Sequence, residues 1–401
     1  MQNIPSHVPK ELVFPFNMYN DARTKGDIHE GLATLFRDAP DLFYTPENGG
    51  HWVATRYELM NEIVKDHERF SSREVRVPRV EGSYIAIPLN LDPPEHTFFR
   101  LILMHHFSPS AIRRLETRIR HWAKFLIGEI AGKGKCDFAD TVGSLFPVSI
   151  FMELMGLPLE RLREYRALVV EYFGDISAER RVELEKLIGG EMRQVIEARQ
   201  IERRDDLISK LLDEEVDGKK MTLKELEDLA NLMFQAGMDT VANFATFFFR
   251  YMGYRPELQR LLHENPDRIP DIVEEGFRMF GVVNNGRLVK HDTTLGGVQL
   301  RANDMVITML SMGGLDDRVN ADPHRFDIER KNRTHMLFSQ GPHLCIGHQL
   351  ARMEMQIFLD EWVKVMPEFR IADGYVAHFR EGSVMGLGHL PIEWTPMAKS
   401  V

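Results

Sequence analysis

The chain has 401 residues, 43% apolar and 27% charged, with 50 basic side chains against 60 acidic ones for a formal net charge of −10. That composition describes a folded protein with a large core and excludes a disordered chain, while the acidic balance disfavours a nucleic-acid-binding surface. Two cysteines, Cys136 and Cys345, leave no disulfide framework or four-cysteine zinc site. The stretch Met1–Phe16 lacks the basic-then-apolar pattern of a signal peptide, so a cytoplasmic protein is expected.

At about 150 residues per domain the length alone suggests two or three domains. In chain order, His51–Thr55 reads as a strand and Tyr57–Arg69 as a helix with apolar spacing. Asp92-Pro93-Pro94-Glu95 is a helix start, with Asp92 as N-cap and Pro in the first turn. From there to about Glu275 the pattern is nearly all helical, broken at Ser108-Pro109, at Lys133-Gly134-Lys135 and around Gly174. Strands are expected over Gly286–Asp292 and Met305–Leu310, then an irregular stretch from Asp316 to His335. A last helix runs from about His348 to Met366, and short strands follow between Phe369 and Trp394. No Pro/Gly/Ser-rich linker divides these segments, which favours a single domain over residues 1–401, mostly α with a small β region.

Leu229–Phe249 is apolar enough to suggest a membrane span, but Asn231, Gln235, Asp239 and Asn243 recur every four residues and gather into one stripe on a helix. Asp239 at the centre of a lipid-facing helix would be costly. A buried helix with a stripe lining a cavity fits better, or one whose polar groups pair with neighbouring helices. No membrane anchor is expected.

The segment Phe338-Ser339-Gln340-Gly341-Pro342-His343-Leu344-Cys345-Ile346-Gly347 precedes an apolar-periodic helix. An isolated cysteine is often only a small buried hydrophobe. Here Gly341 and Gly347 allow a tight turn and close approach of a flat group, and backbone N–H groups with a following helix N-terminus favour a thiolate. A zinc site through Cys345 and His348 lacks a second pair of ligands. The neighbours His105 and His106 point about 100° apart on a helix and suit a metal poorly. Glu275 and Arg278 stand one helical turn apart and can pair.

The Cys345 loop resembles the haem-ligand loop of the cytochrome P-450 superfamily, the haem-thiolate monooxygenases. Glu275-Gly276-Phe277-Arg278 is similar to that family's E-x-x-R motif, and Ala236-Gly237-Met238-Asp239-Thr240 to its oxygen-binding helix motif. Leu91–Arg100, Met238–Phe244, Asn284–Val289 and Gly341–Met355 extend the likeness to the bacterial camphor-hydroxylase branch. Two positions depart from the pattern: Ser339 stands where the family commonly has Gly, and Asn285 where the branch tends to have Asp.

The resemblance implies the triangular, mostly α cytochrome P-450 fold and haem b, with Cys345 on the iron and Phe338, Gly341 and Gly347 shaping the loop around it. It implies Arg100, Arg287 and His343 on the haem propionates, Asp239 and Thr240 in proton delivery, and Arg325 joining Glu275 and Arg278 in a structural core. Tyr84 matches a tyrosine that donates a hydrogen bond to a substrate ketone. Ala86, Leu232, Gln235, Ala236, Val283 and Val384 are the other expected pocket residues, with Ala86 widening the pocket and Gln235 adding a polar group. The implied reaction inserts one atom of O₂ into a small apolar terpenoid or norisoprenoid, camphor-like or ionone-like. No flavin fingerprint or iron–sulfur cysteine set is present, so electrons are expected from a [2Fe–2S] ferredoxin with a separate NAD(P)H-dependent ferredoxin reductase. The basic segment Arg113–Lys124 is either its docking site or a solvated face. Alternatives are a peroxide-driven haem-thiolate enzyme, against which Asp239-Thr240 argues, and a haem-based gas sensor.

Overall fold

The computed structural model describes residues 4–396. The helices that build the site are α1 (Tyr57–Lys65), α2 (Glu95–His106), α3 (Glu116–Ala131), α4 (Leu162–Tyr172), α5 (Ala178–Ile201), α6 (Leu223–Gly237), α7 (Thr240–Gly253), α8 (Ile269–Met279) and α9 (His348–Val365). The β region is a five-stranded sheet of β1 (Leu42–Thr45), β2 (His51–Ala54), β3 (Phe70–Ser71), β4 (Asn285–Val289) and β5 (Met305–Thr308), in spatial order β1-β2-β5-β4-β3. A short hairpin, β6 (Phe379–Arg380) with β7 (Gly386–Leu387), lies against α7. The mostly α architecture with a small β region is as expected from the sequence.

Packing fixes the frame of the site. α9 lies against α3 and α8, and α6 against α5. Around α7 the rings of Phe138 and Phe249 stack at 4.0 Å, and Trp362 from α9 meets both edge-on. Such aromatic pairs add packing and directionality beyond the area they bury. Among the described residues no helix is long and apolar enough to cross a membrane.

Several local expectations shift. Leu229–Phe249 is not one helix: α6 ends at Gly237 and α7 starts at Thr240, with Asp239 at φ −137° between them. At the break Gly237 is pressed against Phe151, whose ring would lie 2.3 Å from a Cβ there. Asp92 is not the N-cap of α2. Pro94 holds that position, while the Asp92 carboxylate accepts from Ser71 Oγ at 2.6 Å and Ser72 N at 2.8 Å. The helix expected to reach Arg69 ends at Lys65, where Asp66 turns to pair with Arg69. A hairpin of Glu215–Val216 with Lys219–Lys220 interrupts the helical middle. Its Asp217-Gly218 turn, both residues at positive φ, is a hairpin signal that sequence reasoning passed over.

Candidate functional site

The Cys345 loop is built by backbone bonds before any side chain contributes. Cys345 N donates to Phe338 O at 2.7 Å and Ser339 N to Met336 O at 2.8 Å, folding the segment back on itself. Gly341 sits at φ +67°, where a Cβ would approach Val64 O at 2.9 Å, so the loop requires glycine there. Ser339 also adopts a left-handed conformation, φ 58°, and its buried Oγ finds no partner. The turn that glycine suits is therefore kept despite the serine. Gly347 has an ordinary φ of −82° and serves as the N-cap residue of α9; a Cβ there would meet only Cys345 Sγ, at 4.0 Å. Phe338 closes one side, its ring 5.2 Å from Phe277 with the Arg352 guanidinium 4.8 Å above it.

Cys345 is an accessible residue, yet burial is the largest influence on its thiol and pushes the pKa up. Both hold for a sulfur on the wall of an internal space. The Gly347 N–H, Arg100 and Arg352 pull the other way, which favours a thiolate once a metal ion replaces the proton.

Arginine and histidine side chains gather around His343, two residues before this cysteine. Arg287, on β4, is fully buried; its Nη1 donates to Gly286 O at 2.8 Å and Asn285 Oδ1 at 3.2 Å, and its Nη2 has no partner. His343 Nε2 is likewise buried and unpartnered. Arg100 on α2 donates to Leu344 O. Burial and the neighbouring Arg287, His96, Arg100 and His67 hold His343 down to about 2, and burial lowers Arg287 to about 10. Donors so crowded and incompletely paired suit a ligand with anionic arms. Sequence reasoning missed His96, whose ring lies 4.4 Å from that of His343. Its position four residues before Arg100 on α2 was the available signal. Asn285 accepts from Arg287 and from Thr308 Oγ1 at 3.1 Å, so a neutral amide holds the guanidinium in place.

Asn231, Gln235, Asp239 and Asn243 are all buried and pair with neighbours. The accessible row is displaced by one residue: Ala236 is exposed, with Leu232 and Thr240 partly so. Thr240 Oγ1 donates to Ala236 O at 3.0 Å. The Asp239 carboxylate is ion-paired to Arg380 from β6, with one oxygen left unpartnered. Arg380 is a residue that sequence reasoning did not select. It also donates to Val384 O at 3.2 Å and Val170 O at 3.4 Å.

On the same side, Tyr84 OH accepts from Gln235 Nε2 at 2.9 Å. Val283 and Val384 form an isolated antiparallel bridge, and Ala86 is buried with its N–H on Asn90 Oδ1 at 2.9 Å. His105 and His106 both reach Glu214, at 2.8 Å and 3.1 Å, as an ordinary surface contact.

Glu275 and Arg278 are fully buried and paired, Nη2 to Oε1 at 2.7 Å and Nε to Oε2 at 3.0 Å. The expected third member is corrected. The Arg325 side chain does not join the pair; its carbonyl accepts from Arg278 Nη2 at 3.1 Å. Arg330 reaches Glu275 Oε1 at 3.3 Å and Arg333 lies 3.7 Å from Oε2. The irregular stretch turns back so that Arg325 offers backbone and the later arginines offer charge.

Comparison with known proteins bears on the whole of this arrangement. Residues 144–371 match the family model described as Cytochrome P450. The chain is 31% identical over 404 residues to a probable cytochrome P450 127A1 of Sinorhizobium fredii, covering 98% of this chain and 97% of that protein. Among solved structures, CYP101J2 superposes with a TM-score of 0.90 at 37% identity, and CYP101C1 with 0.90 at 31%; each covers 98% of this chain and 100% of the other.

Proposed function

Because this chain belongs to the cytochrome P450 family, we propose that it is a ferredoxin-fed monooxygenase hydroxylating a small terpenoid or norisoprenoid ketone. Monooxygenase chemistry and haem b come with membership. The residues of the site fit that cofactor: an accessible yet enclosed thiol lies two residues along the chain from His343, whose Nε2 is buried without a partner beside Arg287, whose Nη2 also lacks one. Cys345 would supply a thiolate to the iron, while Arg100, Arg287 and His343 would receive the propionates, with Gly347 leaving open space beside the sulfur. Bound haem supplies O₂ binding and reductive activation, with the thiolate donating electron density that favours O–O scission.

The protein's own groups manage protons and orientation. With its proton on the Ala236 carbonyl, Thr240 Oγ1 offers lone pairs that hold a water or another proton-bearing group in the pocket. Asp239 carries protons inward when its carboxylate leaves Arg380. Thr240→Ala is expected to keep NADH consumption but drop product per NADH about tenfold or more, with peroxide making up the difference. Asp239→Asn is expected to slow turnover as a whole, by roughly 100-fold. Product yield, peroxide and NADH measured together check both, and full coupling in both variants would make the pair structural only.

The observation that carries the substrate reading is the Tyr84–Gln235 bond. Since the phenol oxygen accepts from Gln235, its own proton remains to donate to a carbonyl. Burial and Tyr172 raise the phenol well above its usual range, so it stays protonated. With Val283, Val384, Ala86, Leu232 and Ala236, this makes an apolar wall carrying one donor, which suits a mostly hydrocarbon ligand with a single oxygen. Losing one neutral hydrogen bond costs about 0.5–1.5 kcal/mol, so Tyr84→Phe should weaken ketone binding up to about tenfold and scatter the hydroxylation sites. The test titrates ionone, camphor and matching oxygen-free hydrocarbons against parent and variant. Equal parental affinity for ketone and hydrocarbon would defeat the carbonyl anchor, and preference for camphor over ionone would defeat the enlarged pocket.

Electrons in this reading come from an acidic [2Fe–2S] ferredoxin and its separate reductase, in the cytoplasm. Arg113, Arg114, Arg118 and Lys124 are exposed and offer a basic face. Arg120 is committed to Asp360, at 2.6 Å, and to Glu361.

A further inference from the structure

Tyr84 lies in a stretch without regular secondary structure, beside an exposed Gly82 at φ +78°, so something outside the segment must hold it. One buried carboxylate does. Glu185 on α5 accepts from Ser83 Oγ at 2.6 Å and 2.8 Å, from Tyr84 N at 3.2 Å, and from the Tyr172 hydroxyl of α4 at 2.9 Å. Arg76, 3.7 Å away, balances its charge and stacks 4.5 Å over the Tyr172 ring. The backbone of the same residue reaches the other end of Tyr84. Glu185 O accepts from Asn231 Nδ2 at 3.2 Å, Asn231 Oδ1 accepts from Gln235 Nε2 at 2.9 Å, and Gln235 holds the Tyr84 hydroxyl. Carboxylate and carbonyl of one residue thus close a ring of hydrogen bonds around the tyrosine.

We propose that Glu185 is the positioning residue for ketone recognition, fixing both the backbone and the phenol of Tyr84 so that its free proton points to one place in the pocket. This rests on Tyr84 as the carbonyl anchor. The carboxylate takes two donors from the segment and a third from Tyr172 behind it, which ties Ser83 and Tyr84 to α4 and α5 through charge-assisted bonds. Glu185 touches no substrate in this scheme; it acts through Tyr84.

The test uses the haem-loaded full chain and four variants: Glu185→Ala, Glu185→Gln, Tyr84→Phe and the double Tyr84→Phe/Glu185→Ala. Dissociation constants are read from optical titrations with ionone and with the oxygen-free hydrocarbon of the same skeleton. Hydrogen exchange over residues 79–88 is measured alongside. Glu185→Ala should weaken ionone about fivefold, leave the hydrocarbon within twofold, and raise exchange in the segment. Glu185→Gln, which keeps an acceptor oxygen for Ser83 and Tyr84, should restore most of the preference. In the double variant the Glu185 change should add nothing to the loss from Tyr84→Phe. If Tyr84→Phe weakens ionone but Glu185→Ala does not, or weakens ketone and hydrocarbon alike, the positioning role is overturned while the anchor stands. Unchanged exchange in Glu185→Ala also overturns it. If Tyr84→Phe binds ionone as the parent does, the anchor falls and the positioning role falls with it.

Discussion

Cys345→Ser is expected to lose the thiolate spectrum and product formation together, down to background, while the fold survives. The substitution exchanges one atom in a loop shaped by the Cys345 N to Phe338 O bond and by Gly341, neither of which involves the side chain. A serine hydroxyl is a far weaker acid than a thiol and a poorer soft ligand, so neither Arg100 and Arg352 nor the Gly347 N–H can make it the same donor. Haem content, the reduced-CO difference spectrum and product formation are measured on one preparation. A normal thiolate band in that variant would mean that another residue binds the iron.

Arg278→Ala is expected to yield little folded holoprotein. All five guanidinium N–H groups of Arg278 are used: two on Glu275, and one each on the carbonyls of Gly314, Pro323 and Arg325. Deleting them leaves the Pro323 carbonyl without a donor, leaves the Gly314 and Arg325 carbonyls with only Asn320 and Arg330, and strips a fully buried carboxylate of its main partner. Breaking a buried pair in this way costs about 3–5 kcal/mol against a total stability of about 5–15 kcal/mol. Arg278→Lys should rescue only part, because three donors on a flexible stem replace a planar fork of five. Thermal midpoint and haem content of the purified variants check this; a midpoint equal to the parent's would show that the pair is dispensable. The substitution also reaches the Cys345 side indirectly, since Arg325 and Pro323 belong to the stretch that leads into the loop.

The features legible in the sequence were those encoded within one turn of chain. The Cys345 loop, the Glu275–Arg278 pair and the Asp239-Thr240 step each sit in a few residues whose spacing carries the geometry. What escaped depended on partners distant along the chain. Arg380 meets Asp239 from 141 residues away, and Glu185 meets Tyr84 from 101. No periodicity links such residues. The stripe through Asn231 and Gln235 was visible, but its facing was not, because a period of four does not say which side of a helix meets protein. Its burial is set by Glu185 and Tyr84, and the open side falls to Leu232, Ala236 and Thr240. In the same way Arg325, Arg330 and Arg333 share an irregular stretch where nothing in the sequence pattern separates the one that offers backbone from the two that offer charge.

Whether Cys345 presents a thiolate to a haem iron is read from the reduced-CO minus reduced difference spectrum of the unaltered protein. Thiolate ligation gives a strongly red-shifted Soret band for essentially all of the bound haem. A band at the position of a histidine-ligated haem would contradict it.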